Sequence, residues 1–226
     1  MFNVQVAQTL ISHITFLIAY LISITFAGCF TAWVAQKMGD DTAADSGFLS
    51  LNPIVHIDFF GLIFLMLYHF GWGKFIPRNP QNITGKFRYL KIFAMFIARS
   101  VGYALIGMIA LIFLIVLFGG QILTTPYSPL QAFPETSSYT IAVSFILMSM
   151  LYVDMMLTAV SFLVDMCGMI LALFLEEYPE YAVYASLIMM IVPVVLFYLF
   201  GSALVVFIFG LIQNCGHFVA QLLHLC

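Results

Sequence analysis

The groups most capable of chemistry in this chain are acids embedded in apolar sequence. Asp154, Thr158, Ser161 and Asp165 fall at i, i+4, i+7 and i+11, and on a helix that spacing sets them in one polar stripe. A carboxylate deep in a bilayer costs about 2.5 to 3.5 kcal/mol on insertion scales, so each must face protein or a water-filled cavity, paired or protonated. Arg99 is the nearest counter-charge by chemistry. Two readings of the stripe stay open: a polar groove serving as a binding seam or proton path, and interhelical hydrogen bonds that hold a bundle together. A second set closes the chain in CGHFVAQLLHLC, where Cys215, His217, His224 and Cys226 look like metal ligands. On one helix, however, His217 and His224 share a face while Cys215 and Cys226 share a roughly opposite one. Residues 214–226 are therefore expected to form an amphipathic tail at the membrane interface. His69 reads as interfacial, and neither a phosphate loop, a dinucleotide fingerprint nor a supported Ser/His/Asp triad is present.

These groups must be positioned by a chain of 226 residues that is 64% hydrophobic and 8% charged. Such a composition cannot place apolar surface inside and polar surface outside, so an all-α integral membrane protein is expected, with residues 1–226 as a single polytopic domain. The first apolar run, residues 8–35, far exceeds the roughly 7 to 15 residues of a signal sequence core, and MFNVQVAQ lacks Lys and Arg; it is expected as a retained helix. The run at 59–71, FFGLIFLMLYHFG, falls short of the ~20 residues needed to cross, which suits a re-entrant or interfacial element. Residues 101–123, 139–164 and 182–200 read as full spans, and 168–175 and 203–223 as additional helix, giving about four to six membrane helices. Lys74, Arg78, Lys86, Arg88, Lys91 and Arg99 all lie between Trp72 and Ser100. That face is expected to be cytoplasmic, its basic character serving topology or anionic lipid. Loop 124–138 then lies on the opposite side, and 176–181 returns to the cytoplasmic one. A net charge of −3 gives no argument for nucleic acid; the lipid bilayer is the expected partner. The four cysteines do not form a disulfide framework and read as mostly buried thiols.

Four stretches recur in a familiar order: FAGCFTAWVAQKMGDDTA (26–43), SGFLSLNPIVHIDFFG (46–61), FGWGKFIPRNPQN (70–82) and EEYPEYAVYASLI (176–188). In order and spacing they resemble the site-2 protease family of intramembrane zinc metalloproteases, in its small bacterial branch, over about residues 11–213. The resemblance implies a site-2-protease-like bundle with a re-entrant segment after the first helix, in a multi-pass protein of the bacterial inner membrane. Its scaffold motif would comprise Gly39, Asp40, Thr42, Asn52, Pro53, His56 and Asp58.

The family's chemistry rests on HExxH, where two His at i and i+4 share Zn²⁺ on one helix face and the Glu acts as general base toward a zinc-bound water. Ungapped alignment places those positions at residues 27–31, with Ala27, Gly28 and Thr31 where His, Glu and His belong, and no other HExxH occurs. Opposite the family's third ligand, an Asp, stands AVSFLVDMCGMIL; anchoring on Gly168 puts Cys167 there, with Asp165 two residues away. Tyr103 stands where a family Asn belongs. What the resemblance implies is a degenerate, proteolytically inactive homologue without a cofactor, one that binds transmembrane partners or substrates in the old groove or assembles with an active homologue. One alternative is an active metalloprotease with a site rebuilt from Cys29, His56, Asp58, Asp165 or Cys167, since thiolate and imidazole suit Zn²⁺. A second is a small transporter using the Asp154/Asp165 stripe, weakened by the lack of repeated halves.

Overall fold

A computed structural model describes residues 4–68, 71–118 and 138–181, together with Val195, Gly210 and Asn214. In chain order the helices are α1 (Val4–Met38), α2 (Thr42–Asp45), α3 (Pro53–His56), α4 (Phe59–Tyr68), α5 (Arg88–Phe118) and α6 (Ser138–Glu177). Three stretches, Leu10–Met38, Arg88–Phe118 and Ala142–Glu177, are long and apolar enough to cross a membrane. Helix α4 has ten residues, too few to cross, as its short apolar run predicts.

Two expected boundaries need correction. The span expected at 101–123 begins instead at Arg88, because Arg88 and Arg99 are neutralised by acids of α6 and so do not interrupt the helix. Residues 168–175 are not a separate helix but the continuation of α6; a lone Gly168 without proline weakens a helix without ending it. The spans expected at 182–200 and 203–223, almost all of loop 124–138, the 214–226 tail with its Cys and His residues, and His69 lie outside the described residues, isolated positions excepted.

The three long helices pack around one another. At one end Ala35 and Met38 of α1 meet Ile92, Met95 and Phe96 of α5 and Met166, Met169 and Leu173 of α6. Toward the other end Leu111, Leu114 and Ile115 of α5 pack on Leu147 and Leu151 of α6. Helices α1 and α6 therefore run in the same direction and α5 runs against both. The start of α5 and the end of α6 lie on the same side, joined by Arg88 and Glu176 at 2.5 and 2.8 Å, as the expected alternation requires. Small residues set the crossing of α1 and α5: a Cβ added to Gly102 would stand 2.9 Å from Ala27 Cα. Such small-on-small contacts let membrane helices approach closely.

The segment between α1 and α5 is held by polar clasps, the most buried of them at Asp40. Helix α1 stops at Gly39, whose φ of +108° suits only glycine. The next residue, Asp40, is fully buried, and its carboxylate accepts from Asn79 N at 2.7 Å, Asn82 Nδ2 at 2.8 Å, Thr42 N at 3.2 Å and the Thr42 hydroxyl. Asn52 caps α3 by accepting from Ile54 N at 3.1 Å, with Pro53 at the first helical position. Asp58 caps α4 by accepting from Gly61 N at 2.8 Å. Gly61 leaves room for the Trp72 backbone, which any side chain there would strike. Lys74 N then donates to His56 O at 2.7 Å, beside an antiparallel bridge of Ile57 with Gly73, and the Tyr20 hydroxyl of α1 donates to Trp72 O at 2.8 Å.

Because Asp40 satisfies several buried donors at once, Asp40→Ala should destabilise the protein by about 2 to 4 kcal/mol, combining a lost charged acceptor with orphaned donors. Asp40→Asn, which keeps one acceptor oxygen, should cost less. The thermal midpoint of the detergent-solubilised protein measures both.

Candidate functional site

The positions at which the resemblance would set HExxH, residues 27, 28 and 31, face the interior of the helix crossing. Ala27 and Thr31 are fully buried, and the Thr31 hydroxyl donates back to Ala27 O at 2.6 Å. Ala27 lies against the Gly102 backbone of α5. It also belongs to the buried cluster that contains Tyr20, Ile24, Leu65, Tyr103 and Leu157, so Tyr103 adds its ring to the same apolar filling.

Gly28 has the most telling environment. The His56 ring lies directly on it, with Nδ1 and Cε1 the atoms nearest to where a side chain would begin, and an added Cβ would fall inside the ring's van der Waals envelope. His56 Nε2 donates to Ser50 O at 2.8 Å, since a carbonyl can only accept, and Nδ1 is turned to α1. Phe48 packs on the imidazole at 5.6 Å between centroids. The space that a glutamate at position 28 would need is thus filled by a histidine from α3.

The residues present do not fit a zinc ion of the HExxH type. A methyl, a hydrogen and an internally bonded hydroxyl stand at the three positions, and both His56 nitrogens face protein backbone. The rebuilt set is not brought together either. Asp58 caps α4, Asp165 is bound by arginines, and Cys29 and Cys167 are half-buried free thiols. Among the described residues no three His, Cys, Asp or Glu side chains converge as metal ligands.

The polar stripe on α6 divides into unlike parts. Arg99 does meet Asp165, with Nη2 at 2.8 Å and Nε at 3.3 Å. A second guanidinium, missed in the sequence, joins it: Arg78 Nη2 lies 2.7 Å from the same carboxylate. Arg78 also donates to Phe96 O at 3.0 Å and stacks on the Phe96 ring at 4.4 Å. Burial lowers the Arg78 pKa from its ordinary value, with Asp165 acting against that loss. The one hint in the sequence was an arginine set between Pro77 and Pro80 inside a scaffold motif. The Thr158 hydroxyl returns to Asp154 O at 2.6 Å, Ser161 is buried, and Asp154 is buried with neither carboxylate oxygen hydrogen-bonded. Within the basic 72–100 cluster, Arg78 and Arg99 are thus ion-paired inside the protein, and Arg88 pairs with Glu176 at a partly exposed site.

Removing Asp165 strands two buried guanidiniums, whereas removing Arg78 leaves a matched Arg99–Asp165 pair. Asp165→Ala should therefore cost about 3 to 5 kcal/mol and Arg78→Met distinctly less, a ranking read from thermal midpoints in detergent.

No family model matches the chain, and no solved structure matches it. Over 64 residues the chain is 45% identical to "Putative zinc metalloprotease YwhC" of Bacillus subtilis (strain 168), a stretch covering 28% of this chain and 29% of that protein. That local match supports a relationship to a zinc metalloprotease, in the sense of the resemblance read from the sequence.

Proposed function

We propose that this chain is a site-2-protease-like multi-pass protein of a bacterial inner membrane that has lost proteolytic activity and acts by binding membrane partners or substrates. The single observation that carries the reading is the His56 ring seated on Gly28. In an HExxH helix that position must hold a carboxylate beside a metal-bound water, and here there is room for neither the carboxylate nor a first imidazole at Ala27, against which Gly102 is packed. The local identity to YwhC supports the ancestry. Three apolar spans support the membrane setting, within which α4 serves as the re-entrant element. No zinc is needed by the resting protein.

Purified protein should contain far less than one zinc per chain and should leave a single-span membrane peptide intact. Cleavage abolished by a chelator and restored by zinc would overturn the proposal. Writing the motif back, as Ala27→His, Gly28→Glu and Thr31→His together, should not create an enzyme. Overpacking against His56 and Gly102 should instead lower stability by about 1 to 3 kcal/mol per enlarged position, seen as a fall in thermal midpoint without stoichiometric metal.

A further inference from the structure

Asp154 lies in the middle of α6, fully buried, with both carboxylate oxygens lacking a hydrogen-bond partner. Among the described elements, α5 presents Gly107, where an added Cβ would stand 3.1 Å from Asp154 Cβ, and Tyr103 one turn earlier, which interacts with it electrostatically. On α1 the Ser23 hydroxyl donates to Ala19 O at 2.8 Å. The Thr158 hydroxyl is committed to the Asp154 backbone. Among the described residues no cation pairs with Asp154: Arg78 and Arg99 go to Asp165 and Arg88 to Glu176.

An ionised carboxylate here would sit in a medium of low polarity with nothing to balance its charge, an arrangement proteins avoid. A neutral carboxylic acid removes that cost. We propose that Asp154 is a proton-binding site, a carboxylic acid held neutral by enclosure at the centre of the bundle. The site takes a proton and no larger ligand, since Gly107 and the neighbouring side chains leave the carboxyl fully enclosed. It stands independently of whether the chain is a protease relative.

The test is infrared spectroscopy of the full chain carrying ¹³C-labelled aspartate, in detergent at neutral pH. The carbonyl stretch of a protonated aspartic acid should be present and be lost in Asp154→Asn. Asp154→Asn, neutral and of the same shape, should melt close to the wild type. Absence of a protonated-acid band in the wild type, or a band unchanged by Asp154→Asn, overturns the proposal. If Asp154→Asn does not fold, Asp154→Glu decides: its unlabelled side chain should remove the ¹³C-shifted band, and a labelled band that persists refutes the assignment to Asp154.

Discussion

The structure depends on the neutralisation of charge inside an apolar bundle. Asp165 is shared by the guanidiniums of Arg78 and Arg99, and this contact fastens the 71–82 segment onto α5 and α6 at once. The adjacent residue, Asn79, donates its backbone N–H to Asp40 just beyond α1. Two neighbours in one loop therefore tie down all three long helices. Asp40 also acts electrostatically on Arg78, so the set holds two acids against two bases. A triad alone would leave one positive charge in a poorly solvating interior; the fourth member restores balance.

The residues that the resemblance assigns to a scaffold motif have structural work of their own. Asn52, Asp58 and Gly61 serve backbone needs: a cap on α3, a cap on α4 and a close passage of the Trp72 main chain. His56 Nε2 binds Ser50 O whether or not a metal is near. None of these roles requires an imidazole or carboxylate on α1. Where α1 carries small side chains the neighbours close in, with His56 on Gly28 and Gly102 on Ala27, since interiors tolerate few voids.

Some of this was legible in the residues. The charge-free run of α1, the shortness of α4 and the period of the α6 stripe follow directly from where polar groups fall, and charge alone nominated Arg99 as a partner. The start of α5 was hidden because Arg88 and Arg99 resemble helix boundaries until their partners on α6 are known. Arg78 was hidden for the same reason. Its carboxylate lies 87 residues away, and no local spacing encodes that contact. Gly28 read only as a missing glutamate; that it is the floor beneath an imidazole from α3 is a tertiary fact.

The two acids of the stripe show why period alone does not make a pathway. Asp165 sits at the end of the bundle where basic residues of the 71–99 segment can reach it, and two of them do. Asp154 lies three turns deeper, where Gly107 and Ser23 offer neither charge nor a free donor. The Asp165 carboxylate is engaged by two guanidiniums, whereas among the described residues no cation meets Asp154. One helix face thus carries two acids in unlike surroundings, and the period that sets them on it reflects a common need for enclosure.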